Sequence, residues 1–125
     1  TINKKLSKYI TNLTGITNYK INKYGISFKK ALEIFYNFSK YYTLYSYGND
    51  YDVILENIKL NNLENVKYIK MKKKFKDFKD LLKKYKHIDV NKYSSGTIYK
   101  AFNIKIKNHK QHNALHDVNS MYKVL

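Results

Sequence analysis

"TLYSYGNDYDVILENIKLNN", residues 43–62, decides how the chain is organised. Residues 43–47 are β-branched and aromatic and stop at Gly48, which predicts a short strand with a tight exit. Val53, Ile54, Leu55 and Ile58 then form the apolar side of a helix, with Asp50 in place as its N-cap. A strand that runs through a glycine into a helix is the repeating unit of layered α/β folds.

The flanking segments continue that alternation. Upstream, "SFKKALEIFYNFSK" (27–40) has Ser27 as a cap and Phe28, Ala31, Leu32, Phe35 and Phe38 at helical spacing, which predicts a helix with one buried face. Downstream, "VKYIKM" (66–71) predicts a second strand. "FKDFKDLLKKY" (75–85) predicts a helix with Phe75, Phe78, Leu81, Leu82 and Tyr85 inward and its lysines outward. "SSGTIYKAFNI" (94–104) reads as a short helix capped by Ser94 or Ser95, and 114–125 as the last helix. Helix, strand, helix, strand and further helices specify an α/β fold with parallel strands. Two strands are too few to complete such a sheet, so further strands are expected ahead of residue 1.

Composition limits the chemistry. The 125 residues suffice for one domain with its own core. Lys and Arg together number 25 against 9 acidic residues, giving a formal charge of +16, and all of the cations are lysine. That sign favours polyanionic partners. Its size is partly a signature of AT-rich coding, which also enriches Asn, Ile and Tyr and depletes Pro and Trp. Without arginine, phosphate contacts must come from lysine point charges, hydroxyls, amides or metal. The absence of cysteine excludes disulfides, thiolate zinc sites and a cysteine nucleophile. No apolar run approaches the ~20 residues that span a bilayer, and "TINKKLSKYI" has no signal-type apolar core. A soluble cytoplasmic protein with no membrane partner is expected.

Ligands of open α/β sheets bind beyond the carboxyl ends of the strands. Asp50 stands there, with Asp52 as its alternative, although helix capping alone, worth about 1 kcal/mol, also explains an aspartate at that place. A second pair stands in "HNALHD" (112–117), where His112 precedes a helix and Asp117 lies within it. Histidine can take a proton from water near neutral pH, and carboxylates hold hard divalent cations. The bland alternative is a solvated loop histidine followed by a surface aspartate. His109, His112 and His116 also permit a zinc reading, weakened because the residues between His112 and His116 lack the glutamate of HExxH hydrolases.

"LTGIT" (13–17), "YSYGND" (45–50) with "VILEN" after it, "YSSGTIYKAFNI" (93–104) and "HNALHD" (112–117) resemble, in that order, the DEDDh 3'-5' exonucleases of the ribonuclease-H-like fold. The resemblance covers nearly the whole chain and implies a three-layer α/β domain. In that family four acidic residues bind two divalent ions, magnesium or manganese, and a histidine activates water. It implies His112 as the base, Asp117 as the last metal carboxylate and Asp50 as the middle one. Ala114 and Leu115 would pack between His112 and Asp117, and His116 would be a variable position. Leu13, Thr14, Gly15 and Ile16 would support the 3'-terminal nucleotide.

The family's first motif, an aspartate and a glutamate one residue apart, has no counterpart here, because no acidic residue precedes "LTGIT". The expectation is therefore that residues 1–125 form the C-terminal portion of one exonuclease-like domain, with the acidic pair and N-terminal strands supplied by another chain or segment. The nucleic acid would be DNA or RNA with a 3' end. The rival is a catalytically inactive homologue that binds nucleic acid or serves as a scaffold, supported by the lysines and the 14 tyrosines, which can stack on unpaired bases.

Overall fold

A computed structural model describes residues 4–125. The chain forms two compact units, one of Ile26–Lys84 and the other of the segment that ends at Gly25 together with Tyr85–Leu125. No described helix is long and apolar enough to cross a membrane.

Unit Ile26–Lys84 is a βαβ arrangement preceded by a helix. The elements are α3 (Phe28–Ser39), β1 (Leu44–Ser46), α4 (Asp50–Leu60), α5 (Val66–Ile69), a 3-10 helix (Lys70–Lys74), β2 (Phe75–Asp77) and α6 (Phe78–Leu82), with α1 and α2 assigned to the other unit. β1 and β2 pair in parallel, Leu44 with Phe75, Tyr45 with Lys76 and Ser46 with Asp77. Ser27 caps α3 by accepting the Lys30 N–H at 3.2 Å, as its position in the sequence indicates. The mixed α/β class and the parallel strands expected from the sequence are present.

The second strand lies elsewhere than expected. Residues 66–71 are helical rather than extended, because Asn65 accepts the Lys67 N–H at 3.1 Å and Tyr68 and Met71, three residues apart, both turn into the core. The strand instead takes the start of the stretch expected to be a helix from 75 to 85. Asp77 ends that strand and caps α6 by accepting the Lys79 N–H at 2.9 Å, which leaves a helix of only Phe78–Leu82. Asp50 is likewise not the cap of α4. Asn49 holds that position, without a side-chain capping bond, and Asp50 is the first helical residue.

The core of this unit gathers Leu32, Tyr51, Ile58, Tyr68 and Met71, with Phe28, Phe35, Ile54, Leu55 and Phe75 packed against it. Phe38 and Val53 were expected on the buried faces, but Phe38 is 74 % exposed and Val53 lies outside too. Both fall on the flank of their helix, because one layer covers only one stripe. Phe78 is buried beneath Tyr45, edge-on at 6.4 Å, and Tyr47. Tyr85, expected inward, is exposed.

The Tyr51 hydroxyl donates to the Ile69 carbonyl at 3.0 Å, and burial, assisted by the Asp52 charge, raises its pKa above the ordinary phenol value. The folded chain therefore holds this proton more tightly than the unfolded chain. Its stabilising contribution is complete below about pH 10 and is lost as pH rises through the raised folded value. Tyr51→Phe is expected to cost about 1 kcal/mol at neutral pH by removing this hydrogen bond, yet to lose less stability on alkalinisation. Urea unfolding midpoints of both proteins across that range check this.

The other unit contains α1 (Lys8–Thr14), α2 (Asn18–Tyr24), 3-10 helices at Val90–Lys92 and Ile98–Phe102, and α7 (Ala114–Lys123). Ser7 and Thr17 cap α1 and α2. Residues 94–104 give a 3-10 helix with Thr97, not Ser94 or Ser95, at its cap position. Ser94 closes the preceding turn by accepting the Thr97 and Ile98 N–H groups. The Tyr99 N–H donates to Ser120 Oγ at 3.3 Å, tying that helix to α7. The last helix ends at Lys123, two residues short of the expected end.

Candidate active site

In the unit that carries α7, the chain turns sharply before the helix begins. Asn108 and His112 both have left-handed backbone, His112 at φ 63°, and Asn113 caps α7 by accepting the His116 N–H at 3.3 Å. These are residue types that tolerate a left-handed backbone better than most non-glycine residues. His112 is exposed at the mouth of this turn.

Asp117 lies in the first turn of α7 and packs against Gly96. Its Oδ1 is buried and has no hydrogen-bond partner among the described residues. A β-carbon on Gly96 would collide with that oxygen and approach the carboxyl carbon to 3.2 Å. The glycine is thus required for the approach of the 93–104 segment to α7, not for an unusual backbone angle. Gly96→Ala is expected to cost about 1–3 kcal/mol through this overlap. Ser95→Ala, without such a contact, should stay within about 0.5 kcal/mol. Thermal unfolding of the two variants distinguishes them.

Two histidines frame the aspartate. His109 Nε2 donates to the Gly96 carbonyl at 2.5 Å, which fixes the peptide that Asp117 packs against, and its ring lies 4.9 Å from Tyr99 and 5.8 Å from His116. His116 Nδ1 accepts the Lys110 N–H at 2.9 Å. His116 therefore holds the turn in shape and is no idle position, whereas Leu115, expected as packing between His112 and Asp117, is 75 % exposed. Helical geometry explains both, since His116 follows the cap by one turn and faces back toward the loop. The bonds to Gly96 and Lys110 give His109 and His116 structural tasks, which weakens the zinc reading further. No group of three or more His, Cys, Asp or Glu residues suited to a metal occurs among the described residues.

"LTGIT" lies in the same unit. Leu13 and Thr14 end α1, Gly15 caps it at φ 74°, and Thr14 Oγ1 accepts the Ile16 N–H at 3.1 Å. The Gly15 carbonyl accepts from Lys20 Nζ at 3.0 Å, and a β-carbon on Gly15 would lie 3.6 Å from Lys110 Nζ. The glycine turn therefore neighbours the segment that leads into His112. Ile16 is exposed.

Asp50 belongs to the other unit, exposed on the first turn of α4 beyond the carboxyl end of β1. Beside it a cleft of about 180 Å³ is lined by Ser46, Gly48, Asn49, Asp52, Asp77 and neighbouring residues. The parallel register brings Asp77 opposite Ser46, and Asp52 faces the same cleft, whereas Asp50 does not line it. Asp77, Gly96 and His109 were missed as site residues. Asp77 was hidden by reading its stretch as a helix, and Gly96 by the lack of any local pattern that foretells its contact with Asp117. His109 was seen only as a zinc ligand.

Comparison with protein families matches residues 1–125 to the family described as exonuclease, of the RNase T type. No curated protein and no solved structure matches the chain.

Proposed function

The chain belongs to the exonuclease family, and from that premise we propose that it removes nucleotides one at a time from the 3' end of DNA or RNA. His112 is the general base, and Asp117 and Asp50 are carboxylates that hold divalent metal. The observation that carries this reading is the buried Oδ1 of Asp117 beside Gly96, without a hydrogen-bond partner among the described residues. An oxygen withdrawn from water without a donor costs about 1–3 kcal/mol, and a cation relieves that cost.

A carboxylate oxygen of this kind fits a hard ion such as magnesium or manganese. Two bound ions supply charge stabilisation for the attacking and leaving oxygens of phosphodiester hydrolysis. His112 takes the proton from water through a ring nitrogen, held outside the helix by its left-handed backbone. Leu13, Thr14, Gly15 and Ile16 support the terminal nucleotide, with the exposed Ile16 as its apolar contact, a role favoured by the nearness of Gly15 to Lys110. Asp50 is the middle carboxylate, and Asp52, which faces the cleft, is its alternative. The first acidic residue of the sequence is Glu33. The two remaining carboxylates then come from outside these residues, and β1 and β2 are part of a larger ribonuclease-H-like sheet.

Polarity is tested with 5'-labelled single strands of DNA and RNA whose 3' ends are either free or blocked by an inverted nucleotide. The protein is used with whatever co-purifies. A ladder that shortens only from free 3' ends is expected. Cutting of blocked strands would contradict the polarity, and binding without cutting would favour the scaffold role.

A further inference from the structure

The unit Ile26–Lys84 carries a second cleft, of about 560 Å³, between the end of α3 and the α5 segment. Lys40, Lys67, Lys70 and Lys74 line it together with Tyr36, and no carboxylate does. The spacing explains the arrangement. Tyr68 and Met71 turn into the core, and Lys67, Lys70 and Lys74, three and four residues apart, share the adjoining side, where Met71 also reaches the cleft. Lys40 caps the end of α3 and enters from the other wall. Lys67 Nζ stands 5.3 Å from the Tyr36 ring centre and 4.9 Å from that of Tyr68. None of the four has a carboxylate partner among the described residues, where the ion pair present is Lys83 with Asp80. Composition explains why lysines are many, but not why they converge on a concave surface free of acids.

We propose that this cleft grips the phosphate backbone of a single nucleic-acid strand, independently of its sequence and of metal. Four ammonium groups on two walls, none with a carboxylate partner among the described residues, suit a chain of phosphates, each contact releasing counterions. Lysine suits a sequence-blind grip, being a point charge rather than a planar fork. The proposal rests on the exonuclease reading only for the class of polyanion.

The test is fluorescence anisotropy with labelled oligothymidylate in EDTA, so that binding is read without hydrolysis and its failure is separable from a failure of catalysis. A variant combining K40Q, K67Q, K70Q and K74Q is compared with one combining K29Q, K30Q, K105Q and K107Q, which removes the same charge from exposed positions. Each lost backbone contact lowers the log–log salt slope by about 0.7, so the cleft variant should lose about 2 to 3 from that slope and at least about tenfold in affinity. The control should change less than about threefold. Equal losses in both variants, or an unchanged slope in the cleft variant, would overturn the proposal. If the cleft variant fails to unfold cooperatively, the pair K67Q and K70Q, both at exposed positions, carries the same comparison against K29Q and K30Q.

Discussion

His112→Asn is expected to lower the turnover number by about 10²–10⁴-fold, the usual contribution of a positioned general base, the role proposed for His112, without changing the fold. Asparagine is the informative replacement. His112 has a left-handed backbone, which asparagine enters readily, while most other side chains meet their own carbonyl there at a cost of about 1–2 kcal/mol. His112→Ala therefore mixes loss of the base with strain in the turn that precedes α7. Because the side chain is exposed, the asparagine variant should melt within about 2 °C of the parent. Initial rates and thermal unfolding, measured side by side, give both quantities. A large fall in melting temperature would assign His112 to the turn rather than to the chemistry.

Asp117→Asn has a two-sided effect. Turnover is expected to fall by more than the about 10–100-fold that loss of an outer-shell partner of a metal costs, because the proposed ligand itself is removed. Stability moves the other way in EDTA. The parent buries a carboxylate oxygen with no partner among the described residues, so a neutral amide of nearly the same shape should match or exceed it, by up to about 1 kcal/mol. Magnesium then reverses the order, since only the parent gains stability from an ion bound to the folded state. Thermal unfolding in EDTA and in magnesium reads all of this. A variant that is less stable than the parent in EDTA would mean that the carboxylate has a structural partner and is not held open for a cation.

Much of the framework was legible because it rests on local signals. Ser27 and the apolar spacing behind it define α3, and the aromatic stretch that ends at Gly48 defines β1 and the entry to α4. The second strand was not legible. β2 spans only Phe75–Asp77, too short to display an alternation, and lysines interrupt both candidate stretches. Pairing with β1 decides the matter, and that pairing is not local. Buried Tyr68 and Met71 show the same limit, since their spacing of three identifies a helical turn only after the core that receives them is known.

The candidate site divides along the same line. "HNALHD" announced a histidine before a helix and an aspartate inside it, and α7 begins just where that reading requires. What the sequence could not announce is that Gly96 lies against Asp117, that His109 holds the Gly96 peptide, and that Gly15 neighbours Lys110. These contacts join segments far apart in sequence. They set a half-buried carboxylate with one buried oxygen, a solvent-facing histidine and a glycine turn in one unit.

The central claim is a metal-dependent exonuclease whose water-activating base is His112. It is tested most directly by release of labelled mononucleotide from 3'-labelled single strands, with the parent and His112→Asn each assayed in magnesium and in EDTA. The account predicts release by the parent in magnesium alone and a loss of about 10²–10⁴-fold in the variant. Equal release by parent and variant, or release undiminished in EDTA, would contradict it.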